Sequence, residues 1–107
     1  MEYHRQQNTD NSIEVCTIPC KHIDKKVERF KISVFYESNP CWIKGWHLMI
    51  EPQYRKDNKY VCDDYAGYCF SMIQDIAESE ILKQKAISEA EITARYLIMK
   101  YGLGVII

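Results

Sequence analysis

Two cysteines and a histidine near the N-terminus form the cluster whose composition most resembles a metal site. Cys16 and Cys20 are separated by three residues, and His22 follows after one more. A tetrahedral zinc site needs four such ligands, commonly supplied as two close pairs. The second pair is missing, because Cys62 and Cys69 are too far apart in sequence to form one. The sequence therefore predicts no metal and no other cofactor, and we interpret these residues as strand thiols and a loop histidine.

A cysteine–histidine pair would be the other route to chemistry, through nucleophilic catalysis. Such a pair needs a thiolate in an electropositive pocket and an aligned base. His47 could face Cys41 or Cys62 across a hairpin, but no local signature accompanies them. Cys69 falls on an apolar stripe, and the carboxylates Asp63-Asp64 are typical of a helix N-terminus. We therefore predict a protein without catalytic residues.

Length and charge limit the classes of protein to which this chain belongs. Its 107 residues suffice for one domain, and its net charge of −1 argues against strong non-specific attraction to nucleic acid or anionic membranes. Residues 1–11 are polar and are expected to form a flexible tail, leaving residues 12–107 as a single domain. The absence of an apolar leader or a membrane-spanning stretch predicts a cytoplasmic protein with reduced thiols.

Alternation of apolar and polar residues predicts strands in the first half of the chain. Residues 29–37 alternate best, residues 12–18 do so loosely, and residues 42–51 form the next strand, which we expect Pro52 to end. Residues 59–62 follow as a short strand after a polar hairpin loop. Consecutive strands joined by short loops predict an antiparallel meander.

Two helices are predicted in the second half. Residues 68–78 carry a helical apolar stripe. A second helix is expected to begin at Ser88, which can form a capping box with Glu91. It should end at Gly102 in the left-handed conformation, with Leu103 folding back onto Ile98.

The second predicted helix is apolar on two faces, which a lone surface helix does not need. Ile92, Tyr96 and Met99 lie on one face. The other face carries Ala94, Leu97, Ile98 and Tyr101. We expect one face to meet the sheet and the other to meet the first helix; the alternative is that one face serves a partner. The fold class is thus α+β, an antiparallel meander of three to four strands with two C-terminal helices packed on one face.

The sheet itself should have one aliphatic face and one aromatic face. The aliphatic side chains that we expect the helices to cover are Ile32, Val34, Leu48 and Ile50. The opposite face would be exposed, and large aromatic and Met side chains are enriched at protein interfaces. The candidate partner-binding residues are Phe35, Trp42, His47, Met49 and Tyr54.

These observations predict a small non-catalytic module that binds a protein partner or itself through the aromatic sheet face. Small modules of this kind include accessory proteins and inhibitors encoded by mobile elements or phages, and we expect such a role. The alternative is a nucleic-acid-binding module that uses the same face with the basic stretch from Lys21 to Lys31. Mixed charge around the aromatic residues favours the protein partner.

Overall fold

The computed structural model describes residues 2–3, 11–39 and 42–107 as an α+β fold. Within these residues it contains seven β-strands and one α-helix. The elements in chain order are β1 Glu2–Tyr3, β2 Ile13–Lys21, β3 Arg29–Glu37, β4 Gly45–Lys56, β5 Lys59–Val61, β6 Tyr68–Ser71, α1 Glu80–Lys100 and β7 Val105–Ile106. The antiparallel sheet followed by a C-terminal helix agrees with the predicted fold class, but the second helix is missing from the described residues.

The sheet is antiparallel, with strand order β1-β6-β4-β3-β2-β7 and with β5 paired to the end of β4. Strands β2, β3 and β4 form the predicted meander, and β6 adds to its other edge at β4. The predicted flexible tail falls mostly on residues outside the described ranges. Within those ranges, Glu2–Tyr3 pairs with β6.

The core lies between one face of the sheet and α1. Ile32 pairs with Ile50 and Val34 with Leu48, and all four side chains are buried. The helix contributes the side chains that follow one another at four-residue steps, Ala86, Ala90, Ala94 and Ile98. Small side chains let the helix backbone approach the sheet closely. Because these side chains share a core with Ile32, Val34, Leu48 and Ile50, the prediction that a helix covers the aliphatic face is confirmed.

Strand β4 continues past the proline that was expected to end it. Pro52 pairs with Phe30 on β3, while the pairing with β6 reaches only Ile50 and β5 ends opposite Tyr54. Among the described strands, β4 therefore has a single neighbour at Pro52, where a missing N–H donor is tolerated. The following hairpin turns at Asp57-Asn58, and both residues have the positive φ angles that a two-residue hairpin turn requires.

The prediction of a helix over residues 68–78 is wrong. Residues 68–71 form β6, and the rest of that segment is irregular up to Ser79. Phe70 joins the core beneath α1, whereas Cys69 is buried on the other side of the sheet with Phe35 and Met49. A strand that is covered on both faces loses the apolar–polar alternation by which it would be recognised.

Helix α1 begins earlier than predicted and ends as predicted. Its N-cap is Ser79, and the predicted cap Ser88 lies inside the helix, where its hydroxyl donates to the Lys85 carbonyl. At the other end Gly102 has a φ of +61°. The Leu103 N–H donates to the Ile98 carbonyl at 2.9 Å, which confirms the predicted terminator. No helix in the described ranges has the length and apolar character to cross a bilayer.

Candidate functional site

The aromatic sheet face that was predicted to bind a partner is buried at its centre. Phe35 and His47 stack across β3 and β4 with ring centroids 5.5 Å apart, and Met49 pairs with Cys69 of β6. Phe35, His47 and Met49 are 1%, 0% and 1% exposed. The expectation that these side chains are exposed is thus corrected. Cys69 of β6 is buried in one cluster with Phe35 and Met49, and the Ile43 carbonyl, in the chain before β4, hydrogen-bonds the His47 ring.

The other two predicted partner-binding residues lie elsewhere. Trp42 is 38% exposed in the bend before β4, and its backbone N–H donates to the Asn39 carbonyl. Tyr54 has the opposite strand phase from His47, towards the far end of β4, and its hydroxyl donates to Asp63 at 2.7 Å. The five predicted residues therefore do not form one exposed surface. Their role in partner binding stays a prediction, although three of them, Phe35, His47 and Met49, lack the exposure that it needs.

The second sheet face instead buries a set of polar side chains. They are Ser33, Glu37, His47, Glu51 and Gln53. Glu51 is 2% exposed, Lys31 Nζ lies 3.8 Å from its Oε1, and that oxygen has no hydrogen-bond partner among the described residues. Burial raises the pKa of Glu51, and Lys31 offsets part of that rise. Sequence reasoning missed this cluster, because polar residues at alternate strand positions are also the pattern of a solvated face.

Aromatic rings at the β4–β5 hairpin are covered by cations of the same chain. Arg29 Cζ lies 3.5 Å from the centre of the Tyr60 ring, and Lys26 Nζ lies 4.1 Å from that of Tyr54. Lys26 also forms an ion pair with Asp63 at 3.1 Å. The hydrogen bonds from Tyr54 and Lys26 lower the pKa of the Asp63 carboxyl. These contacts join the hairpin to the loop between β2 and β3. They also occupy ring faces on which a nucleic-acid base would stack.

The cysteines near the N-terminus are held as thiols. Cys16 and Cys20 pack against the core, and burial raises the pKa of Cys16 and raises that of Cys20 to about 11. His22 Nδ1 accepts the N–H of Asp24. Among the described residues, no group of three or more His, Cys, Asp or Glu side chains is placed to hold a metal ion, and Cys41 lies outside them. A thiol with a raised pKa is a poor nucleophile at neutral pH.

A cleft of about 350 Å³ lies where the start of α1 meets the sheet. Its lining residues are Asn11, Ile13, Tyr36, Trp46, Glu78, Ser79, Glu80 and Lys83. Trp46 is buried, and its Nε1 has no hydrogen-bond partner within the part of the chain that the structure describes. The volume is that of a small-molecule site. Its lining mixes acidic side chains with a lysine, so it favours neither an anionic nor a cationic ligand.

Helix α1 exposes a row of large apolar side chains on its outer face. Ile92, Tyr96 and Met99 are 77%, 59% and 74% exposed, and we call these three residues the outer stripe. They point away from the sheet, opposite the buried alanines. The expectation that a first helix covers them is wrong, because residues 68–78 form no helix. The outer stripe is therefore an apolar surface that this fold leaves available to a partner.

Comparisons with protein-family models, with curated proteins and with solved structures find no match to this chain.

Proposed function

We propose that this protein is a non-catalytic protein-binding module that docks through the outer stripe of α1. The observation that carries the proposal is the exposure of Ile92, Tyr96 and Met99 at one-turn and two-turn spacing on one helix. Exposed apolar residues that line up on one helix face are typical of surfaces that bury themselves against another protein. The predicted class of function is retained, and the docking surface moves from the sheet to the helix.

The fold presents this stripe on a rigid support. Four buried side chains fix α1 to the sheet from Ala86 to Ile98, and hydrogen bonds cap the helix at Ser79 and at Leu103. A helix already held in its bound conformation loses little conformational entropy on docking. The outer stripe is thus preorganised for a partner.

The chemistry of the stripe indicates an amphipathic helix as the partner. Its apolar side chains form a narrow ridge, and charged residues flank it: Glu89 and Lys100 on one side, Glu91 and Arg95 on the other. A facing helix with an apolar stripe and flanking charges of both signs would match this ridge. The proposed role, an accessory or inhibitor protein encoded by a mobile element or phage, requires such a partner.

The nucleic-acid-binding alternative has less support. Cations within the predicted basic stretch already cover tyrosine rings of the same chain. Arg29, for example, covers the ring of Tyr60. Lys26 is paired with Asp63. Stacking of bases on these rings would first have to displace those contacts.

Site-specific crosslinking tests the proposal. A photoreactive benzoylphenylalanine placed at Tyr96 should give a discrete, saturable protein adduct in lysate of the source cells, displaced by unlabelled wild-type protein. The matched control carries the same group at Ile23, which is 95% exposed in a loop far along the chain from α1. Absence of an adduct at position 96, or the same adducts at both positions, would contradict the proposal.

A further inference from the structure

We propose that the partner of the outer stripe is a second copy of this chain, with the two α1 helices antiparallel about a two-fold axis. This inference rests on the proposed function and names its partner. Two-fold dimers are the commonest protein oligomers, and in them one surface patch must complement itself. The outer stripe and its flanking charges have that self-complementary arrangement.

The charges on one flank set the direction of the pairing. Glu89 and Lys100 are eleven residues apart, which places them on the same side of the helix about three turns from each other. In a two-fold antiparallel pair, the same flanks of the two helices meet. Glu89 therefore lies level with Lys100 of the partner subunit, and symmetry repeats the contact. A two-fold parallel pair would instead set this flank against the other flank of the partner, so Glu89 and Lys100 would not meet.

The same register brings the apolar side chains together. With Glu89 level with Lys100 of the partner subunit, Ile92 falls between the levels of the partner's Tyr96 and the partner's Met99. This is the interlocking arrangement by which apolar side chains of paired helices pack. One pairing thus satisfies both the stripe and its charged flank.

The charges on the other flank are largely neutralised within each chain. This register sets Arg95 level with Arg95 of the partner subunit, but each Arg95 forms an ion pair with Glu91 of its own chain, at 3.1 Å. Glu89 and Lys100 form no ion pair with any other described residue. Lys100 Nζ lies 5.7 Å from the centre of the Tyr96 ring and 5.4 Å from that of Tyr101, at the edge of the outer stripe. A seam of three large side chains per copy is small, and we expect a dimer that dissociates on dilution.

Sedimentation equilibrium across a concentration series tests this inference. The wild-type chain of 12.7 kDa should approach twice that mass as its concentration rises. Ile92→Glu should stay monomeric, and Ile23→Glu, in an exposed loop, should associate as the wild type does. Thermal melts of each variant show whether it is folded. A wild type that remains monomeric at its highest concentration, or an Ile92→Glu variant that is folded and still dimerises, would overturn the inference.

Charge reversal tests the antiparallel register separately. Glu89→Lys and Lys100→Glu should each weaken self-association by about three- to tenfold at low salt, because each sets like charges across the axis. Mixing the two variants should restore association, since one then carries lysine at both positions and the other carries glutamate at both. The double variant should also recover wild-type affinity. A mixture or double variant no stronger than the single variants would overturn this register.

The crosslinking result separates this inference from the function on which it rests. An adduct between two copies of the chain at position 96 supports both. An adduct with a different protein, together with a monomeric wild type, supports the docking surface and overturns the second copy. Absence of any adduct at position 96 contradicts the proposed function itself.

Discussion

The hydroxyl of Ser79 accepts a hydrogen bond from the backbone N–H of Leu82, at 3.2 Å, and this contact fixes the first turn of α1. An N-cap side chain satisfies one of the backbone donors that a helix start leaves without an intrahelical partner. Glu80 in the first turn adds a negative charge near the positive end of the helix dipole. Ser79 and Glu80 therefore specify the start of α1, ahead of the buried face that begins at Ala86.

Replacing this cap should destabilise the protein, whereas the serine first expected to serve as the cap should tolerate replacement. Ser79→Ala should lower the free energy of unfolding by roughly 0.5–2 kcal/mol. Ser88→Ala is the matched control, since Ser88 lies inside the helix and is exposed. Alanine has the higher helix propensity there, so stability should hold or rise slightly. Urea unfolding of both variants measures the difference, and equal losses would contradict this N-cap.

Mistaking Ser88 for the cap shows the limit of local sequence patterns. Ser88 and Glu91 have the spacing of a capping box, but Ala86 before them is fully buried against the sheet. That packing holds the preceding turns helical, and it depends on strands distant in sequence. The end of α1 was predicted correctly because its signal is local. Gly102 at positive φ and Leu103 after it contact residues only a few positions away in the chain.

Both faces of the central strands are largely buried, and residue polarity predicted β3 better than β4. The alternation from Arg29 to Glu37 gave the bounds of β3 correctly. In β4, every residue from Gly45 to Gln53 is buried, so polarity no longer shows which side chains face solvent. Buried His47 was for this reason assigned to an exposed face. The spacing of its residues predicted the outer stripe as an apolar face. That this face is exposed follows only from the structure, in which residues 68–78 form no helix to cover it.

The terminator of α1 provides a second test of stability. Gly102 has a φ of +61° and open space where a Cβ would lie, so the cost of a side chain there is conformational. Gly102→Ala should reduce the free energy of unfolding by about 1 kcal/mol. Gly102→Asn should cost less, because asparagine tolerates this conformation better. Chemical denaturation ranks the variants, and an alanine variant as stable as wild type would contradict this account.

Two methionines offer a matched test of the two apolar surfaces. Met49 is 1% exposed on the second sheet face, and Met99 is 74% exposed on the outer stripe. Met49→Ala should cost roughly 2–5 kcal/mol of stability through lost burial and a cavity. Met99→Ala should change stability of the monomer by less than about 0.5 kcal/mol. Thermal melts at low concentration compare them, and similar melting temperatures would show that the sheet face is not part of the core.

Burial of Glu51 should make stability depend on pH in a recognisable direction. Its pKa in the folded protein is raised above the ordinary value of 4.5, so folding favours the protonated form. The folded state then binds more protons than the unfolded state once the pH exceeds that ordinary value. The contribution of this group is most favourable below pH 4.5 and is lost as the pH rises through the raised folded pKa.

Glu51→Gln isolates this effect, because glutamine keeps the shape of the protonated side chain and does not titrate. The other titrating groups are common to both proteins and largely cancel in the difference between them. We expect the stability of wild type minus that of the variant to fall as the pH rises from about 4 to 7. The nearby cation of Lys31, at 3.8 Å, limits the size of the fall. Urea unfolding at several pH values measures it. A difference that stays constant would show that folding leaves the pKa of Glu51 unchanged, and one that grows with pH would show that the fold stabilises its carboxylate. Either result would contradict this account.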